Sequence, residues 1–273
     1  MALAVCLAGC LPLTPAANLY RETRRLPILM YHSILRDPAK QGKYILSPDR
    51  LEADIRWLLE MGYETVSTED VTDFVLGGGT LPEKPVLLTF DDGYLNNLTY
   101  VLPLMEQYGC HGVVSVVGVY SERFSQTPDP NPNYAHLSWD EIMSLTAGGY
   151  LEIQNHSWDM HGQSGRRGST RKSGETEAAY RVAFAKDVNR LQEALARETS
   201  ITPTYYTYPF GLADPLSGQL LQELGFTGSF TCRERINTLE RGNPACLFGL
   251  GRFNRPGETA TSAFMEHVFD ETA

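Results

Sequence analysis

Two aspartates stand side by side, Asp91 and Asp92, in the run Thr89-Phe90-Asp91-Asp92-Gly93. An ionised carboxylate can accept a proton from water or ligate a cation, and an adjacent pair can divide those tasks if the backbone lets both converge. Neighbours on a strand point to opposite faces, so convergence needs a turn, which the glycine supplies. Asp before Gly is also ordinary loop chemistry, so the doublet alone leaves both readings open. A second concentration lies at Asn155-His156-Ser157-Trp158-Asp159-Met160-His161, which holds two of the six histidines. Imidazole is a common ligand of Zn²⁺. Residues i and i+5 lie about 140° apart on an ideal helix, so this pair would have to chelate from a loop; otherwise each is a satisfied or exposed histidine. Two histidines and one carboxylate leave positions for water and substrate, the ligand count of a catalytic rather than a structural metal site.

The elements that would position these groups alternate between β-rich runs and helical patterns, the signature of successive βα units. Leu26–His32 reads as the first strand. Ser47 caps a helix with Pro48 at its first position, and Leu51, Ile55, Leu58 and Leu59 form its apolar face up to Gly62. Pro85–Phe90 is the near-continuous apolar run of a strand covered on both faces, and it ends on the aspartates. A helix near 97–108, a strand at 111–117 and a loop over Ser121–Tyr134 follow. Ser138 and Glu141 form a capping box that opens the next helix. Strand 151–154 leads into the histidine pair, with a helix over 175–197, a strand at 205–208, a helix over 215–224 and a strand at 226–231 beyond it. About seven strands predict an α/β fold, a distorted (β/α) barrel over residues 26–257, whose strand ends would carry the chemistry. The stretch 258–273 is expected to be a tail. An open doubly wound sheet would need a phosphate-cradling GxGxxG or GxxxxGK[ST] loop after a strand, and none is present; Gly77–Gly79 precedes a strand and is a turn.

The 273 residues carry 23 Lys and Arg against 33 Asp and Glu, a net charge of −10, which argues against nucleic acid as a partner. The locally basic Arg166–Lys172 stretch reads as a solvated loop, and no protein partner is implied. Residues 1–25 form a leader: Met1–Ala17 is apolar but too short to span a bilayer. Within it, Leu7-Ala8-Gly9-Cys10 resembles a bacterial lipobox, although no basic residue precedes Arg21. This predicts an extracytoplasmic protein, either secreted or held in the cell envelope with lipidated Cys10 as the candidate membrane attachment; the alternative is an apolar tail on a cytoplasmic enzyme. The five cysteines contain no CxxC, so neither a disulfide framework nor a zinc knuckle is expected, and Cys110, Cys232 and Cys246 are read as buried thiols.

Thr89–Gly93, Asn155–His161 and Thr207-Tyr208-Pro209-Phe210-Gly211, in that order on successive strands, resemble the motifs of the metal-dependent polysaccharide deacetylases of carbohydrate esterase family 4. The resemblance spans roughly Leu26–Pro256. It implies Asp91 as general base and Asp92, His156 and His161 as ligands of a divalent metal, Zn²⁺ first with Co²⁺ or Ni²⁺ as alternatives. It also implies the backbone N–H of Tyr208 as an oxyanion donor, with Pro209 beside it at the substrate. Four residues separate the histidines where the common family form has three, a spacing similar to the branch that deacetylates poly-β-1,6-N-acetylglucosamine. The family's closing Leu-x-Leu-His strand, which supplies the general acid, has no counterpart at the C-terminus, where His267 lies in a polar helical stretch. Leu29-Met30-Tyr31-His32 has that pattern at the front, as expected of a circularly permuted barrel, and makes His32 the candidate acid. His111 and His136 are assigned structural places. The family's third motif often starts with an arginine that orients the base; Thr202–Tyr206 has none, so what orients Asp91 is open. Trp139 and Trp158 are candidates for a sugar subsite or for the core.

The resemblance implies an N-deacetylase of an N-acetylglucosamine polymer such as poly-N-acetylglucosamine, peptidoglycan or a chitin-like glycan. A relative of the same fold acting on an O-acetyl ester such as acetylxylan, and a non-catalytic carbohydrate-binding relative, are the alternatives.

Overall fold

In the computed structural model, which describes residues 21–162 and 165–269, the chain opens with β1 (Thr23–Leu26), β2 (Ile28–Tyr31), β3 (Ser33–Ile34), β4 (Ile45–Leu46) and α1 (Pro48–Glu60). It continues through β5 (Glu64–Thr65), α2 (Thr68–Thr72), β6 (Pro85–Phe90), α3 (Leu102–Tyr108), β7 (Gly112–Val116) and α4 (Gly118–Gln126). Next come α5 (Trp139–Thr146), β8 (Leu151–Asn155), α6 (Glu177–Thr199), β9 (Tyr205–Thr207), α7 (Ser217–Glu223) and β10 (Gly228–Phe230). The last elements are β11 (Asn237–Glu240), β12 (Phe253–Asn254) and α8 (Thr261–Phe269). Cys6 and Cys10 lie outside the described residues, among which no helix is long and apolar enough to cross a membrane.

The central sheet is parallel and runs β10-β9-β8-β7-β6-β2-β12, with β5 added beside β6. Its two ends approach each other. Leu250 donates its N–H to Ser229 and accepts from Thr231, both at 2.8 Å, and three residues later β12 pairs with β2. The result is the curled α/β barrel that the alternating pattern predicts.

Strand β6 explains how the barrel is filled. Val86, Leu88 and Phe90 join an outer core with Ile55 and Leu58 of α1, Met105 of α3, Ile142 of α5 and Leu191 of α6. Leu87, from the opposite face, packs with Ile28, Val113, Tyr205, Phe230 and Leu250. Two residues on, the Thr89 hydroxyl donates to the Leu29 carbonyl at 2.9 Å. Two further on stands Asp91. Period-two alternation therefore carries one face of β6 from apolar through hydroxyl to carboxylate as it nears the strand end.

Several helix starts follow the capping chemistry of the sequence. The Ser47 hydroxyl accepts from Arg50 N, and Ser138 with Glu141 closes a reciprocal capping box. Other expectations are corrected. The Ser121–Tyr134 loop begins as helix, because α4 runs to Gln126. The antiparallel pair of β1 with β11 was not signalled by the βα rhythm. Nor are the described residues after 258 simply a tail: α8 buries Phe264, Met265 and Val268, and Phe269 stacks on Trp57 of α1 with 5.4 Å between ring centroids. His267 on this helix is exposed and faces Glu234 at 3.3 Å. Of the three described cysteines only Cys110 is buried; Cys232 and Cys246 are half-buried, and all three are free thiols.

Candidate active site

The C-terminal ends of β2, β6, β8 and β9 surround a cleft of about 790 Å³. Asp91, Asp92, His32, His156 and His161 all line it. Asp91 extends the strand, donating its N–H to the Tyr31 carbonyl at 3.0 Å. Asp92 then takes a left-handed φ of 70°, which Asp tolerates better than most side chains, and swings its carboxylate to the same cleft. Gly93 is required next: at φ 64° a Cβ there would come within 2.8 Å of Val116.

His156 directly follows β8. It donates Nδ1–H to the Thr207 carbonyl at 2.7 Å, which fixes the tautomer and leaves Nε2 as a lone pair. A turn through Ser157, also left-handed at φ 70°, returns the chain to His161. Asp187 of α6 holds that turn by accepting from Trp158 N and Asp159 N. The pair therefore acts from a loop, as its spacing requires. The two imidazole Nε2 atoms lie 2.9 Å apart, and Asp92 Oδ1 is 3.5 Å from that of His156 and 3.2 Å from that of His161.

The electrostatics of the cluster would suit a bound cation. Asp92 Oδ1 is buried with no hydrogen-bond partner, yet it faces two imidazole nitrogens. Although burial opposes charge on each group, the neighbouring histidines hold the Asp92 carboxyl well below its ordinary pKa. Against the same burial, the adjacent Asp92 carboxylate raises that of His156. Burial and the adjacent His156 push His161 down to about 4. Asp92, His156 and His161 could hold a metal ion, since their ligand atoms all lie within 4.8 Å of one another.

Asp91 is held apart from that cluster by a residue the sequence reading missed. Arg252 grips it with both prongs, Nη1 to Oδ1 at 2.7 Å and Nη2 to Oδ2 at 2.8 Å. The guanidinium also donates to Thr89 Oγ1 and the Thr231 carbonyl, and lies 5.6 Å from the Phe230 ring centroid. It overcomes the burial penalty and keeps the Asp91 carboxyl ionised below the usual range. No arginine near 202–206 was needed, because the closing segment of the barrel supplies one.

His32 leaves β2 where its neighbour strand delivers Asp91, since Tyr31 is in register with Phe90. Its ring lies against Tyr44, with centroids 4.7 Å apart, and its Nδ1 is buried without a partner. Burial lowers its pKa against the pull of Asp91 and Asp92.

The remaining expectations fare differently. The Tyr208 N–H donates to Phe230 O at 3.0 Å and its hydroxyl accepts from Ser217, so the expected oxyanion amide is engaged in the sheet. Pro209 is buried at the head of a single 3-10 turn that presents Phe210, left-handed at φ 59°, to the cleft. Trp139 donates to Glu122, and Trp158 packs under Arg190; at 6% and 7% exposed, neither lines the cleft. Tyr44, Tyr94 and Phe210 do line it, and of these Tyr44 and Phe210 are exposed, by 47% and 41%. An exposed aromatic in a cleft has no signal in a single sequence, whereas a tryptophan attracts notice anywhere.

Comparison with known proteins agrees with this geometry. The chain is 26% identical over 224 residues to the poly-β-1,6-N-acetyl-D-glucosamine N-deacetylase of Escherichia coli K12, covering 74% of this chain but only 33% of that protein. It is 35% identical over 136 residues to the putative polysaccharide deacetylase YxkH of Bacillus subtilis, covering 50% of this chain and 43% of the relative. Both relatives are thus matched over less than half their length. The solved structure of a de-N-acetylase from Aggregatibacter actinomycetemcomitans shares the fold, with a TM-score of 0.74 over 90% of this chain and 100% of that one at 23% identity. Residues 78–229, more than half of the chain, match the polysaccharide deacetylase family, and the chain belongs to it.

Proposed function

We propose that the chain is a metal-dependent N-deacetylase of an N-acetylglucosamine-containing polysaccharide. The observation that carries this reading is the division of labour between adjacent carboxylates: Asp92 faces two imidazole nitrogens, while Asp91 is committed to Arg252. A divalent ion held by Asp92, His156 and His161, Zn²⁺ first with Co²⁺ or Ni²⁺ as alternatives, would polarise the acetyl carbonyl and acidify a water. Asp91, ionised and turned to the same cleft, accepts a proton from that water. The balance is simple: one water is consumed, acetate leaves, and both protons of that water end on the amine nitrogen, which departs as an ammonium group. His32, on the adjacent strand end, is the proposed donor to that nitrogen. Tyr44 and Phe210 offer apolar faces to the sugar rings. The front position of His32 favours a permuted order of the family's strands.

The E. coli relative's substrate supports poly-β-1,6-N-acetylglucosamine as the first polymer to try. A polymeric glycan also fits a reaction outside the cytoplasm, with Cys10 as the proposed lipid attachment. The test is acetate release from poly-β-1,6-N-acetylglucosamine, chitin oligomers, peptidoglycan and acetylxylan, using purified, chelator-treated and Zn²⁺- or Co²⁺-restored protein. Chelation is expected to stop release from an N-acetylated glycan and metal to restore it. Release from acetylxylan alone would replace the amide with an ester, and release indifferent to chelation would remove the metal.

A further inference from the structure

His136 takes no part in the chemistry above, yet its ring reaches the turn on which that chemistry depends. We propose that His136 is a positioning residue for Asp92, clamping the aspartate's main chain so that its carboxylate stays aimed at the two histidines; this rests on the metal-site reading of Asp92.

The contact is direct: His136 Nδ1 lies 2.8 Å from the Asp92 carbonyl oxygen. A carbonyl only accepts, so Nδ1 carries the proton. The carbonyl belongs to a residue in the left-handed region at φ 70°, a conformation that costs energy for any side chain and persists only where neighbours enforce it. The enforcement comes from one short segment. Ala135 O accepts from Leu95 N and Leu137 N donates to Gly93 O, each at 2.8 Å, so the segment pairs with the turn on both sides of His136. A bridge between Tyr94 and His136 lies between those bonds. The imidazole is seated by Tyr94, Tyr120 and Phe124, with ring centroids at 4.6, 4.3 and 5.8 Å. Releasing the carbonyl would free the peptide plane after Asp92, and the carboxylate would lose its register with His156 and His161. Outer partners of metal ligands typically change metal affinity by about 10- to 100-fold when removed.

Ring packing and hydrogen bonding can be separated at this position. H136F keeps an aromatic ring among Tyr94, Tyr120 and Phe124 but has no donor. H136N loses the ring but places an amide N–H near the position of Nδ1. Co²⁺ binding to the full chain, read from the visible absorption of the bound ion, is expected to weaken about 10-fold or more in H136F while its thermal midpoint stays near wild type. H136N is expected to show the reverse, a lowered midpoint with near wild-type Co²⁺ affinity. Equal affinity of H136F and wild type, or affinity that simply follows thermal midpoint across the variants, would overturn the inference. If H136F does not fold, H136L supplies the donor-free comparison with the same expected weakening. Asp92→Ala serves as the control for the site itself: wild type showing no Co²⁺ signal beyond this control removes the metal reading and the inference together. Wild-type binding with an unweakened donor-free variant removes the inference alone.

Discussion

Two arginines three positions apart, Arg252 and Arg255, each bury a two-pronged pair with an aspartate, and only one pair faces the cleft. Arg255 donates from Nε and Nη2 to Asp54 of α1 at 2.7 and 3.0 Å, and both side chains are fully buried. Tyr31 and Thr261 also donate to this carboxylate, so each Asp54 oxygen receives two bonds. Arg252 grips Asp91 equally closely, but one bond reaches each Asp91 oxygen and the residue lines the cleft. The difference lies in the unused lone pairs. A saturated carboxylate is a strut between α1, β2 and α8; a carboxylate with capacity left over, ionised and turned to a cleft, can act as a base.

Breaking the strut tests stability without touching the cleft. Arg255→Ala leaves Asp54 buried and uncompensated, which should cost about 3–5 kcal/mol in denaturant unfolding. Turnover per folded molecule should be retained; its loss would mean that the two pairs are not separate devices. Removing the buried arginine behind Asp91 should instead move a pH profile. Because Arg252 lowers the Asp91 pKa, Arg252→Gln lets it rise, and the acid limb of kcat/KM should shift upward by about one to three pH units. An unmoved limb would separate Asp91 from the observed ionisation. Smaller still, Phe210→Ala should raise KM several-fold with little change in kcat, a split readable with oligomers of increasing length.

The opposite end of the barrel sharpens the contrast. Glu152 on β8 is tied to the Thr68 N–H at 3.0 Å, and burial, with Asp70 adding to it, raises its pKa to about 7. A carboxyl with a raised folded pKa binds its proton more tightly when folded, so stability should fall as pH climbs from the unfolded carboxyl range to about 7. Glu152→Gln should flatten that slope in a pH series of thermal midpoints, and an unchanged slope would show that another group carries it.

The sequence made the strand ends legible because β6 announces itself as a two-faced buried run and the histidines sit directly past β8. Asp92, His156 and His161 converge as their types suggested. Arg252 was invisible because it follows β10 by 22 positions and reaches Asp91 only when the barrel curls shut, a long-range closure with no local pattern. Tyr208 misled for a related reason: the amide meant for an oxyanion is the one that completes the pairing of β9 with β10. The C-terminal helical stretch reads as polar in the sequence, because the apolar face of α8, Phe264, Met265 and Val268, gains meaning only against α1.

The central claim is that adjacent aspartates have different jobs, and one paired measurement addresses it: metal content and acetate release for Asp91→Asn beside His156→Ala. Asp91→Asn should hold one divalent ion per chain and lose about 10²- to 10⁴-fold in turnover, whereas His156→Ala should lose both metal and turnover. Metal lost with Asp91→Asn, or turnover kept by either variant, would contradict the account.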